Sequence, residues 1–156
     1  MLQIEIPGRD SLLIQHLLLD FNGTIAFDGK LIDGVKEYLA CLAKDVEIHV
    51  VTADTFGDAS EQLQGLPVKL TILAESDQDE AKQGYLSTLG NEMTVAIGNG
   101  RNDCLMLQDA AIGIALIQGE GAAVASLQSA DIICTSIINA LGLLLNPKRL
   151  VATLRF

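Results

Sequence analysis

Apolar and polar positions follow two periods along this chain. Residues 2–6 (Leu-Gln-Ile-Glu-Ile) alternate, as a half-buried strand does. Pro7-Gly8-Arg9-Asp10 reads as a turn and residues 12–19 as a second strand, the two expected to pair as a hairpin. Short apolar pieces at 25–32 flank Asp28-Gly29, a strong hairpin-turn signal, and predict a small flap. With Asp33 as a helix cap, Val35, Tyr38, Leu39 and Leu42 share one face of a helix running to about Ala43. Val46 to Val51 is a β-branched strand ending at Thr52, followed by a short helix over about 57–64 and a strand from Val68 to Leu73. A helix over 77–89 opens with Asp77, Asp79 and Glu80, charges that suit a helix N-terminus. Thr94 to Ile97 is a strand ending in Gly98-Asn99-Gly100, and a helix runs on to about Asp109. Strands at 112–116 and 131–134 then alternate with helices at 120–127 and 136–145, and Pro147 interrupts the last.

From residue 15 onward the order is β-α-β-α. That predicts an α/β fold: a Rossmann-like three-layer sandwich with a mainly parallel sheet and helices on both faces. No linker, repeat or low-complexity tract divides residues 1–156, so one domain is expected. Ligands in such folds bind at the C-terminal ends of strands, near a switch in strand order.

Composition narrows the partners. The chain is 49% hydrophobic, enough for a sizeable core, and its net charge is −10. That balance argues against nucleic acid or an anionic membrane as partner, and it requires any phosphate site to make its own positive field. Cys41, Cys104 and Cys134 have no metal-like spacing and read as reduced thiols of a cytoplasmic protein. The apolar run 12–19, broken by Gln15 and His16, does not read as a signal peptide. His16 and His49 read as packed or edge-facing strand residues, with no ligand partner at a recognisable spacing.

Polar clusters at the strand ends carry the chemistry. Asp20-Phe21-Asn22-Gly23-Thr24 offers a carboxylate able to act as a nucleophile, and a glycine whose turn lets backbone amides cradle anionic oxygens. Thr52, in Thr52-Ala53-Asp54, places a hydroxyl at another strand end, and Lys82 offers a cation early in a helix. Gly98-Asn99-Gly100-Arg101-Asn102-Asp103 brings hard oxygen donors. Alone, each also reads as an ordinary turn, cap or surface residue. Gly119-Glu120-Gly121 reads as loop-to-helix geometry, with a phosphate loop as the alternative, and Pro147-Lys148-Arg149 as a solvated tail, with subunit docking by Leu150, Val151, Leu154 and Phe156 as the alternative.

Asp20, Thr52, Lys82 and Asp103 fall in order on the pattern of the haloacid dehalogenase (HAD) superfamily, which the chain resembles over roughly residues 14–145. Within it, Thr52-Ala53-Asp54 and Gly98–Asp103 resemble motifs of the phosphorylation domain of P-type ATPases, as do Ala111–Ala115 and Ala130–Ile133. The resemblance implies a Mg²⁺-dependent phosphatase working on a phosphorylated substrate. Asp20 would form an aspartyl-phosphate. Gly23, Thr24, Thr52, Ala53 and Lys82 would hold the phosphoryl group, and Asp20, Asn22, Asn99 and Asp103 the metal.

Two positions depart from the pattern. Asn22 stands where phosphatases of this kind carry an Asp that moves protons, and an amide cannot do that. Asn99 stands for an acidic metal ligand. Slow catalysis by residues including Asp20, Asn22, Thr52 and Lys82 is expected, or else a non-catalytic module binding a phosphorylated ligand or partner protein. No cap domain fits between Thr52 and Lys82, so the flap or a second copy in a homo-oligomer is expected to cover the site.

Overall fold

Leu17, Leu18 and Leu19 are all wholly buried, because strand β3 (His16–Asp20) is covered on both faces. A computed structural model describes residues 1–54 and 57–156. β3 lies inside a six-stranded sheet with β6 (Glu47–Thr52), β7 (Lys69–Ile72), β8 (Thr94–Gly98), β9 (Ile112–Leu116) and β10 (Ile132–Cys134). The spatial order is β10-β9-β8-β3-β6-β7, and every pair is parallel. The chain moves outward from β3 through β6 to β7, then returns to the other side of β3 at β8. The switch in strand order therefore lies at β3 and β8, and their C-terminal ends frame a crevice.

Alternate residues feed two cores. On one face Leu17, Leu19 and Val50 pack with α1 (Val35–Leu42), α6 (Ile137–Leu145) and α7 (Pro147–Leu154). On the other, Leu18, Val51 and Ala96 pack with α3 (Gln78–Leu89) and α4 (Cys104–Asp109). The short helices α2 (Ala59–Gln62) and α5 (Val124–Ser129) fill the remaining crossovers. This is the expected Rossmann-like sandwich. Among the described residues no helix is long and apolar enough to cross a membrane.

Several local expectations change. Residues 12–19 are not one strand: β2 (Leu12–Ile14) pairs antiparallel with β1 (Leu2–Ile4), and the chain changes partners at Gln15. Asp33 does not cap α1; Gly34, in the left-handed region at φ 88°, turns the chain into it. The helix expected over 120–127 begins only at Val124, because the Ala123 amide is held by the Asn99 carbonyl at 2.9 Å. Pro147 starts α7 rather than a solvated tail, and its fixed φ suits a first helical position. Leu150 is fully buried in the main core with Val151 and Leu154 beside it, so these residues dock within the chain. The flap is as expected: β4 (Ala26–Phe27) and β5 (Lys30–Leu31) are antiparallel, joined through Asp28 at φ 48° and Gly29 at φ 77°.

Leu150→Ala is expected to cost about 2–4 kcal/mol of stability, read as a lower urea midpoint, because it opens a cavity under α7. A change within experimental error would mean that α7 is not part of the cooperative core.

Candidate active site

The site is built where β3, β6 and β8 end. After Asp20 the chain turns sharply, and the amides of Thr24, Ile25 and Ala26 close on the Phe21 carbonyl. Gly23 lies at φ 81°, and a Cβ there would collide with the Asn99 side-chain amide. Only glycine lets these two loops touch. Gln118 fastens the turn from the far side, donating to the carbonyls of Gly23 at 3.1 Å and Thr24 at 3.0 Å, while its oxygen accepts from Ile137 N.

Lys82 holds the centre. It projects from α3 with 1% exposure, and its Nζ donates to Asp20 Oδ1 and Asp103 Oδ1, both at 2.7 Å. Burial alone would strip charge from this lysine; the two carboxylates outweigh it and raise its pKa. Asp103 is fully buried, and its second oxygen accepts from the amides of Asn99 and Gly100, both at 2.9 Å. It thus stands behind the site, fixing Lys82 and the loop, with both oxygens in use. The Ser126 hydroxyl sits 3.0 and 2.9 Å from the Asn99 and Gly100 carbonyls and has one hydrogen to share between them.

A cavity of about 190 Å³ opens in front, lined by Asp20, Asn22, Thr52, Ala53, Asn99 and Glu120 among others. Thr24 Oγ1 lies 3.3 Å from Asp20 Oδ2 and 3.4 Å from Asn99 Oδ1, so these acceptors flank one hydroxyl. Asn99 keeps this orientation because its Nδ2 donates to Gly121 O at 3.0 Å. Asn22 turns away: its Oδ1 accepts from Gly29 N at 3.1 Å, tying the flap to the nucleophile loop. Thr52 lines the cavity, and its Oγ1 accepts from Asp54 N at 3.0 Å. Asp54 is engaged elsewhere, accepting from the Ala59 amide at the start of α2. Beside this cavity, a second one of about 240 Å³ separates the flap from residues 118–120 and is lined by Ala26, Phe27 and Ile32.

Gln118 and Ser126 had no recognisable signal in the sequence, and Glu120 stood out only as part of the Gly119-Glu120-Gly121 turn. The first two act through backbone carbonyls, and Glu120 is brought to the cavity by the loop that delays α5. Burial and the Asp28 charge push the Glu120 carboxyl upward.

No protein-family model matches the chain. An uncharacterized protein of Methanocaldococcus jannaschii is 49% identical over 65 residues, 42% of this chain and 70% of that protein. A second uncharacterized protein of that organism is 56% identical over 39 residues, 25% of this chain and 89% of that protein. A 3-deoxy-D-manno-octulosonate 8-phosphate phosphatase from Moraxella catarrhalis, solved with magnesium, phosphate and the sugar, has a TM-score of 0.65 at 18% identity, over 91% of this chain and 94% of that one. The cobalt-bound deoxy-D-mannose-octulosonate 8-phosphate phosphatase of Haemophilus influenzae has a TM-score of 0.68 at 13% identity, over 87% and 90%. A HAD-superfamily phosphatase of Bacteroides thetaiotaomicron gives 0.65 at 15%, over 90% and 96%. The chain belongs to one family with the first archaeal protein, and its fold is that of the HAD superfamily.

Burial and the nearby Asp103 charge, opposed by Lys82, push the Asp20 carboxyl from 3.8 up to about 6. A raised carboxyl stabilises the fold below its unfolded value near 4, and that contribution is lost as pH rises through about 6. The rise is worth roughly 3 kcal/mol at about 1.4 kcal/mol per pH unit. In metal-free buffer, Asp20→Asn is therefore expected to be more stable than the native chain at pH 8, with the gap closing toward pH 4. Urea titrations at both pH values read it; a less stable variant at pH 8 would mean that the Lys82 bond outweighs burial.

Proposed function

We propose that the chain is a HAD-type phosphatase that works through an aspartyl-phosphate on Asp20. The observation that carries this reading is the Lys82 bridge to Asp20 and Asp103, set at the strand-order switch beside an oxygen-lined cavity. Asp20 Oδ1 is held by Lys82 at 2.7 Å while Oδ2 has the longer Thr24 contact at 3.3 Å, so Oδ2 is the freer oxygen for attack on phosphorus. Thr52 would hold a phosphoryl oxygen, with Ala53 on the wall, and Lys82 would balance the nucleophile's charge; the Gly23 and Thr24 amides, expected to share this task, are given to the Ala26 and Phe21 carbonyls instead. Attack forms the Asp20–phosphorus bond and breaks that to the leaving oxygen; water then cleaves the acyl phosphate.

The residues fit Mg²⁺. Two carboxylates face one ammonium, and the single Thr24 hydrogen cannot satisfy both Asp20 Oδ2 and Asn99 Oδ1, which leaves hard oxygen lone pairs free. Asp20, the Asn22 backbone carbonyl and Asn99 would hold the ion; Asp103 would join only by giving up its loop or Lys82 bonds. The bound ion would offset phosphoryl charge. The two octulosonate 8-phosphate phosphatases of similar fold were solved with magnesium and cobalt, and the Thr-Ala-Asp and Gly-Asn-Gly motifs support a site like that of a P-type ATPase phosphorylation domain.

Proton transfer limits the reaction. Asn22 is an amide committed to the flap, so no acid stands at its position. Glu120, the other carboxylate on the cavity wall, has a raised pKa that suits protonation of a leaving oxygen. The apolar recess beside Phe27 suits the body of a small phosphorylated substrate. A second reading, a phosphate-binding module without turnover, is favoured by the Asn22–Gly29 bond alone.

An activated aryl phosphate is expected to turn over slowly, only with Mg²⁺, and not at all in Asp20→Asn. Asn22→Asp should raise kcat by about 10²-fold and Glu120→Gln should lower it. Phosphate binding without turnover in both the native chain and Asn22→Asp would establish the second reading instead.

A further inference from the structure

His16 and His49 were read as unrelated strand residues, but parallel pairing brings them together. His16 pairs with Glu47 across β3 and β6, and His49 lies two residues beyond Glu47, so all three side chains share one face. His16 Nδ1 lies 3.3 Å from His49 Nε2, and Glu47 Oε2 lies 3.8 and 3.6 Å from these nitrogens. Three ligands of a tetrahedral zinc ion, with bonds of about 2.0–2.1 Å, stand about 3.4 Å apart. The triangle is thus already near the size the ion needs.

We propose that His16, Glu47 and His49 form a second metal site for Zn²⁺, separate from the phosphoryl site. His16 and Asp20 open and close the same strand, which puts the two sites roughly 13 Å apart at 3.3 Å per residue. An independent feature orients the ligands: His49 Nδ1 lies 3.0 Å from the Tyr85 hydroxyl on α3. A proton on Nδ1, donated to Tyr85, leaves the Nε2 lone pair facing His16 and Glu47, the outer hydrogen bond that zinc-binding histidines ordinarily have. Lys69, exposed on β7, pairs with Glu47 Oε2 at 2.9 Å in the metal-free chain and must swing into solvent when the ion binds. Glu47 is half-exposed, which leaves an entry path and a fourth position for water.

The test is Zn²⁺ competition against a chromophoric chelator, with the full chain free of any affinity tag. One site is expected in the native chain and unchanged in Asp20→Asn. It should weaken roughly tenfold or more in Glu47→Gln, which leaves the buried core untouched, and vanish in His16→Ala. Absence of binding in the native chain would overturn the proposal. So would binding that survives both His16→Ala and Glu47→Gln, or that disappears in Asp20→Asn.

Discussion

The Lys82 ammonium, buried between two carboxylates, is the contact around which the site is organised. A buried lysine is tolerated only if its charge is met and its hydrogens are bonded. Asp20 and Asp103 meet the charge and take two of the three hydrogens, one from the end of β3 and one from the loop after β8. The bridge therefore fixes the end of β3, the first half of α3 and the loop after β8 relative to one another. Among the described residues no buried side-chain nitrogen or oxygen lacks a partner, so this charge cluster is a closed network. Two carboxylates against one ammonium leave the cluster net negative, which favours a cation beside it.

Much of the sandwich was legible because the central strands carry apolar runs such as Leu17–Leu19 and Val95–Ile97 between helical segments. The convergence of Asp20, Lys82 and Asp103 was only hinted at by their order along the chain, since the contacts themselves are made between distant segments. The misses share a cause: they depend on neighbours distant along the chain. The delayed start of α5 comes from a bond to Asn99, and α7 looked like a tail because its apolar stripe is short. The histidine pair escaped because side-by-side parallel strands create proximity without any sequence spacing.

Asn22 illustrates how one side chain serves geometry rather than chemistry. Its amide oxygen holds the Gly29 amide at the tip of the flap. The flap in turn places Phe27 against Gly119, where a side chain larger than glycine's would collide with the ring. The flap is therefore fastened by one polar contact at its turn and by the fit of the Phe27 ring over Gly119.

The strand order has a consequence for how the molecule comes into being. β3 is central, yet one of its neighbours is β8, which is made far later. Asp20 meets Lys82 across 62 residues of chain. Bringing such distant segments together carries a loop-closure entropy that local contacts do not. The raised Asp20 carboxyl therefore belongs to the completed fold, where burial, Asp103 and Lys82 bear on it together.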